Sequence, residues 1–596
     1  MDRSHLVPLE QVAKLRIIEE WNGEAGGATP SIVVCAACAK RVFVSESAWV
    51  DGRAIRLELL RNDRLPDYIL PKSYDIEVYQ KAILNPKGLE FTDRLGHLRL
   101  CNRCKGSLYA NSMPKFALSN WLYYGYDALP EDIRAAFDSS SLFERKLICR
   151  ARCNAITCRF NVRQTNESSD ASLLSRERKG VRGNVLVSPL DIFKLDQVIP
   201  PNRQVIRDTM CTIFVSDQMP TRSTVSKYAP VLVRKSRVKA LIQFLLQYNY
   251  HYRPSVRFSY SQANLDELFD GDDDESVLSS AHIGYIPPNE AIDAAVSDYT
   301  LRNVDKGLGN DDCDELLMEN VGYTEGDDSP LSYQAMKALA VERCLLGKPF
   351  LVSGKGSRPV PDFHNPSILT WLFPHLDPWG IGGFYHPGRS VKISMQEQVS
   401  HLLMVDGSPF ERDPEFAFLF YNIYRKGLVA QSLRFAVSRR LHRSIVGELL
   451  SIDPEVLVRL NIRCQQDAHY RPREEKEKKA FALLASLGMI SRHVPGSNGY
   501  KMILRNEIRS LIVYRGTPTL FITLNPSDVD HPLVRLFAGD DIGLDNMTKG
   551  EEMSEWQRKL FAARNPSACA KFFDYMITKF IRVVLGYGRK EGGLYG

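Results

Sequence analysis

Cys35-Ala36-Ala37-Cys38 and Cys101-Asn102-Arg103-Cys104 are the two stretches that decide how the N-terminal part of this chain folds. A two-residue spacer lets both sulfurs of a knuckle turn toward one point. Two knuckles supply four thiolates, the donor set of a tetrahedral zinc ion with bonds of about 2.3 Å. Four sulfurs leave no open position on the metal, so a site built from Cys35, Cys38, Cys101 and Cys104 holds structure and does not catalyse. The 62 residues between the knuckles exceed the gap of a compact zinc finger, and the alternative is four separate buried thiols. Cys149, Cys153 and Cys158 form a second group, whose spacing fits either a further metal site or a helix face burying small residues.

The rest of the composition sets bounds. A chain of 596 residues is too long for one hydrophobic core and implies three or four domains. Twelve cysteines are too few for a disulfide framework over that length, so paired cysteines read as ligands or buried thiols. No apolar run reaches the ~20 residues of a membrane span. Met1-Asp2-Arg3-Ser4-His5 is not a secretory leader. The expectation is a soluble intracellular protein with no membrane partner. The net charge of +6 hides an asymmetry: residues 266–328 carry 19 acidic side chains against Arg302 and Lys306. Removing that segment from totals of 77 basic and 71 acidic residues leaves 75 and 52, an excess of +23. Such a surplus fits a polyanionic partner, nucleic acid first, and fits a solubilising surface equally well.

The fold class expected is multidomain α/β (α+β), helix-rich, with an N-terminal zinc-knuckle module and an incomplete C-terminal α/β domain. Residues 1–29 read as a polar lead-in, 30–165 as the double-knuckle module and 166–261 as a basic α/β module. Residues 262–328 read as an acidic linker, 329–490 as a helical aromatic-rich module and 491–596 as the α/β region. Within Val225 to Asn249, the apolar residues Val238, Leu241, Ile242 and Leu245 recur at helical spacing beside Arg234, Lys235, Arg237 and Lys239. A second helix, Leu433 to Leu450, carries Arg439, Arg440 and Arg443. Arg234, Lys235, Arg237, Arg439, Arg440 and Arg443 are therefore the candidate phosphate contacts, set against the plainer reading of packed helices with one solvated face. Trp371, Trp379 and Tyr421 read as stacking platforms for unpaired bases or as core. His375 and His386 flank the Trp379 turn and read as a shared metal pair or as surface residues. Helices are expected over 393–405, 414–424, 474–487, 507–513, 554–563 and 566–585, and a buried strand over Thr519 to Leu524.

Several motifs are missing. Gly347-Lys348 runs into Pro349, so there is no phosphate-binding loop and no ATP site. The twelve histidines include no pair separated by a single residue. No metalloprotease helix or nucleophile elbow is present.

Four blocks in order resemble the N-terminal region of Helitron transposases of the fungal type, over residues 30 to 596. They are the double knuckle with Leu60 to Pro66 and Ile83 to Leu89, then Lys179-Gly180-Val181-Arg182-Gly183-Asn184-Val185. Phe373-Pro374-His375-Leu376 with Gly380-Ile381-Gly382-Gly383 comes third, and Arg505 to Arg509 leading into Thr519 to Asp528 comes last. The resemblance implies a rolling-circle initiator (Rep) domain that binds and cuts single-stranded DNA. Two histidines one residue apart hold a divalent ion there, later tyrosines attack the phosphate, and a helicase follows. Only the first initiator motif carries over, with Thr523 and Asn525 as candidate DNA contacts. The histidine pair, the nucleophilic tyrosines and the helicase are not among these residues, and no catalytic residue is nominated. The expectation is a nuclear, non-cleaving, truncated Helitron-type protein that binds single-stranded DNA, holds structural zinc and associates through an incomplete C-terminal sheet. The alternative is a zinc-stabilised nucleic-acid-binding or protein-interaction adaptor without catalysis.

Overall fold

The computed structural model describes residues 9–23, 32–151, 155–160, 195–203, 205–206, 210–215, 232–269, 275–278, 282–286, 364–413, 415–436, 456, 463, 471–472, 474–482, 498–518, 521–539, 553, 557–558, 561–562, 565–589 and 592–594. The 179–185 turn, Cys153, Arg439, Arg440 and Arg443 lie outside the described residues, as do most of the helices expected at 433–450 and 554–563. The chain divides into two compact units, Met1–Phe418 with Pro526–Gly596, and Leu419–Asn525.

The first unit opens with helix α1 (Gln11–Asn22). Two antiparallel ladders follow: β1 (Ile32–Val34) against β2 (Arg41–Phe43), and β3 (Ser47–Asp51) against β4 (His97–Cys101). Between β3 and β4 the chain runs through turns and single 3-10 turns. It is pinned by buried tyrosines: the Tyr74 hydroxyl donates to the Ala82 carbonyl at 2.6 Å and accepts from the Leu84 N–H at 2.9 Å. Leu57, Leu60, Leu98 and Leu100 close this core around the four knuckle cysteines.

Helices α2 (Asn102–Tyr109), α3 (Glu131–Asp138) and α4 (Leu142–Ile148) lead away from the knuckles. α4 starts at a capping box, in which Ser141 and Glu144 satisfy each other's backbone N–H groups. α5 (Lys235–Tyr248) lies against α3 and α4. Its predicted apolar stripe, Val238, Leu241, Ile242 and Leu245, is fully buried in the largest core, as helical spacing requires.

A parallel three-stranded sheet joins β5 (Ala155–Phe160), β6 (Met210–Val215) and β9 (His282–Ile286), with β6 central. A short antiparallel ladder pairs β7 (Leu232–Arg234) with β8 (Glu275–Val277). Within 262–328 the structure places α6 (Gln262–Glu267), β8 and β9 as regular elements. The acidic count hid short strand-forming runs such as His282-Ile283-Gly284-Tyr285-Ile286, which find ladder partners far away in sequence.

From α7 (Ile368–Leu372) the chain passes through the Phe373–Gly383 loop to α8 (Met395–Leu402) and α9 (Pro409–Arg412). α10 (Phe416–Ala436) then enters the second unit. At the end of the first unit, α12 (Pro532–Ala538) and α13 (Pro566–Lys579) pack on each other and receive Phe43 of β2 between Phe537 and Tyr575.

In the second unit the long helix α11 (Asn498–Arg515) absorbs the segment 507–513. Residues 521–524 form no strand, and Phe521 is 96% exposed, which corrects the buried strand expected there. An apolar run becomes a strand only when a neighbouring chain supplies a ladder, and none of the described residues does. Among the described residues of 491–596 every regular element is helical, so the incomplete α/β domain and its associating sheet edge are not found there. The whole is helical with small sheets, a mixed α/β protein. No helix among the described residues is long and apolar enough to cross a membrane.

Candidate metal centre

The first knuckle is the turn between β1 and β2. The Cys35 N–H donates to the Lys40 carbonyl at 3.1 Å, and the Ala39 N–H donates back to the Cys35 carbonyl at 2.8 Å. Closing so tight a loop puts Ala39 in the left-handed region at φ 58°. The second knuckle starts at the last residue of β4, Cys101, and ends on the first turn of α2 at Cys104.

The 62-residue gap is closed by backbone contacts: the Ala36 N–H donates to the Arg99 carbonyl, and the Asn85 N–H to the Ala36 carbonyl, both at 2.8 Å. Gly88 presses so closely on the first knuckle that a Cβ would sit 2.4 Å from the Ala36 nitrogen. The gap therefore folds back onto the knuckle it separates.

The four sulfurs lie within 4.8 Å of one another and all four cysteines are buried. A tetrahedral zinc–sulfur centre needs sulfurs about 3.8 Å apart, which follows from bonds of about 2.3 Å. The dimensions fit, and the all-sulfur donor set matches zinc or an iron–sulfur centre more closely than a hard cation. The Cys101 Sγ also accepts from its neighbours: hydrogen bonds from Cys104, Cys35 and Cys38 hold its pKa far below the ordinary thiol value. Cys104 and Cys38 are pushed well above theirs, first by their bonds to Cys101. Cys35 is lowered as well, and four thiolates in this volume need a positive ion between them.

Behind the ligands, buried His401 of α8 stacks on Phe116 at 4.8 Å between ring centres. Burial lowers the His401 pKa to about 4. The same segment continues as a clasp: Lys40 bridges Val405, the Asp406 N–H donates to the Ala39 carbonyl at 2.9 Å, and Lys87 meets Asp406 at 2.8 Å. Residues 401–406 thereby form an outer wall of the first knuckle.

The other residues singled out in the sequence are placed as follows. Arg237 grips the buried Glu144 carboxylate at 2.9 Å and the Ser139 carbonyl at 3.1 Å. Lys235 pairs with Asp266 at 2.8 Å, and the Arg234 N–H donates to Glu144 at 2.8 Å. Any phosphate at Lys235 or Arg237 would have to displace an internal carboxylate. Thr523 and Asn525 lie in an exposed stretch without regular structure. Trp379 is buried among Phe244, Tyr248 and Tyr68 and serves the core, while Trp371 receives Arg150 over its ring. Tyr421 is exposed, with Arg425 near its ring. The Cys149 thiol donates to the Arg145 carbonyl at 2.9 Å and to the Leu372 carbonyl at 3.0 Å, a buried thiol; Cys153 and the Cys158 side chain lie outside the described residues.

His375 is not a surface residue. Its side chain is buried and its Nε2 lies 2.8 Å from Asp413, a hydrogen-bond partner 38 positions on that a local reading could not supply. His386 stacks on Trp121 at 4.0 Å, so the two histidines serve separate contacts.

The loop around them is a packing hub. Asp377 accepts from the Ile381 N–H at 3.0 Å, the Gly382 N–H at 3.2 Å and the Thr370 hydroxyl at 2.5 Å. The Gly382 carbonyl accepts from Gln398 at 2.8 Å and from the Tyr124 hydroxyl at 3.0 Å. The glycines are needed because a Cβ on Gly382 would lie 2.0 Å from the Tyr124 ring, and one on Gly383 2.0 Å from the Pro366 carbonyl oxygen.

Two family models match the chain. Residues 110–266 are similar to a domain of unknown function, DUF6570, and residues 398–596 to the Helitron helicase-like domain at the N-terminus. The Helitron match begins within α8, after the Phe373–Gly383 loop, so the knuckle and loop blocks fall outside it. No curated protein and no solved structure matches.

Proposed function

We propose that this chain is a Helitron-type transposase-related protein that binds single-stranded DNA, works in the nucleus, and does not cut DNA with these 596 residues. The observation that carries the reading is the similarity of residues 398–596 to the Helitron helicase-like domain. The basic excess outside the acidic segment supports a polyanionic partner. These residues contain no histidine pair one residue apart to hold an ion beside a scissile phosphate, so strand cleavage is not assigned to them.

The knuckle cysteines are proposed to hold structural zinc. Bound there, the ion would neutralise the thiolates and tie the β1–β2 turn to the start of α2. The residues themselves do the rest. Ala39, Lys40 and Lys87 seat the 401–406 segment at the start of the Helitron-like stretch, and Phe43 seats α12 and α13 at its end. The metal module is on this reading the platform of the Helitron-like part, and its function is positional. Arg237 and Lys235, held by internal carboxylates, favour a structural reading of α5.

Fluorescence anisotropy with a labelled oligothymidine tests the reading. Binding should weaken steeply and linearly in log salt between about 50 and 200 mM, as released counterions require. Salt-independent binding, or metal-dependent nicking by the purified chain, would overturn it.

A further inference from the structure

We infer that α11 (Asn498–Arg515) is the surface that grips the phosphates of a single nucleic-acid strand, an inference that rests on the nucleic-acid reading above and gives it a location. The helix carries Lys501, Arg505, Arg509 and Arg515 against one carboxylate, Glu507. Lys501, Arg505 and Arg509 repeat every fourth residue, so they climb one side of the helix by about 6 Å a step. Arg515 falls on the same arc at 100° per residue.

All four cations are exposed. Among the described residues Lys501, Arg505 and Arg509 enter no ion pair. The contrast with α5 decides the assignment. There, Lys235 and Arg237 are consumed by Asp266 and Glu144; here the cations stand in solvent, where like charges one turn apart repel and destabilise the helix unless an anion joins them.

The occupant is a strand with unpaired bases. Ile508 and Ile512 lie between the cations on the same arc, and Ile508 is 56% exposed. Tyr514, 78% exposed, lies off that arc at the C-terminal end of the helix, with the Arg515 guanidinium 4.9 Å from its ring centre. Apolar groups among phosphate-binding cations, with an exposed ring held against Arg515 at the helix end, suit base faces that a duplex hides. A bilayer surface fits less well. Met502, Leu504, Leu511, Val513 and Tyr514 are spread around the circumference, whereas a helix lying in a membrane interface gathers its apolar residues on one face.

The test uses the full chain and a labelled oligothymidine, its duplex counterpart, and vesicles containing phosphatidylserine. Lys501→Gln, Arg505→Gln and Arg509→Gln together should lower the slope of log affinity against log salt by about 2, three contacts at roughly 0.7 each. Arg53→Gln, Lys72→Gln and Lys81→Gln, with the same loss of charge elsewhere, should leave the slope in place. A wild-type slope retained by the α11 triple variant would overturn this surface while leaving nucleic-acid binding intact. Tighter binding of the duplex, or of vesicles, would overturn the single-strand assignment, and no binding of wild type to any oligonucleotide would remove the underlying reading.

Discussion

Arg41 and Glu411, 370 positions apart, form a buried ion pair of 2.7 Å in which both side chains are almost fully excluded from solvent. Arg41 also donates to the Ala538 carbonyl, and Glu411 accepts from the Ser567 N–H at 3.1 Å. One pair thus ties β2 beside the first knuckle to α9, α12 and α13. Removing one member of a buried pair leaves the other charge uncompensated, at about 3–5 kcal/mol. Arg41→Met should therefore cost that much in urea unfolding of the whole chain. Arg41→Met with Glu411→Leu should recover part of it, and a single variant as stable as wild type would show that the pair is not buried.

Metal content follows from the cysteine geometry. Purified protein should carry one zinc per chain by elemental analysis, and Cys104→Ser should lose it. Cys149→Ser should retain it, because that thiol is satisfied by the Arg145 and Leu372 carbonyls. Chelation should lower the melting temperature, since binding of metal to the folded state adds directly to stability. Metal-free protein with an unchanged melting temperature would leave the four thiols as a plain buried cluster.

The glycines give a pair of opposite outcomes. Gly382→Ala drives a methyl into the Tyr124 ring at 2.0 Å, and overpacking of this kind costs about 1–3 kcal/mol. Gly106 lies inside α2 with nothing within 4 Å of a Cβ, so Gly106→Ala should stabilise by about 0.5–1 kcal/mol through helix propensity. Thermal melts of the two variants should move in opposite directions. A shift in the same direction would contradict the packing described for the loop.

How much of this was legible in the sequence depended on range. The α5 stripe and the two knuckles are local patterns, and both stand where spacing placed them. Arg41 with Glu411 and His375 with Asp413 are not local: each partner lies on another element, and only tertiary packing selects it. Phe521 to Leu524 shows the reverse error. Its composition is that of a strand, yet a strand exists only with a neighbour, and composition cannot supply one. The acidic count over 262–328 likewise says nothing of β8 and β9, because averaging charge over many residues erases the short runs that become them.

The last expectation concerns pH. Burial lowers the pKa of His251 to about 4, with the nearby Arg150 adding to the effect and a backbone contact to Gly380 opposing it. Burial also lowers His386 to about 4, helped by Arg389, His251 and Arg64. In the unfolded chain both titrate near 6.5, so between about 6.5 and 4 the unfolded state binds protons that the folded state refuses. Stability from these residues is therefore complete above about pH 6.5 and is lost as pH falls toward 4. Melting temperatures measured from pH 7.5 down to 4.5 should decline, and His251→Gln with His386→Phe should flatten the decline by up to two protons' worth of slope. His386→Phe keeps a ring to stack on Trp121, so a flatter profile reports the lost titration and not the lost contact. An unaltered profile in the double variant would place both imidazoles in water.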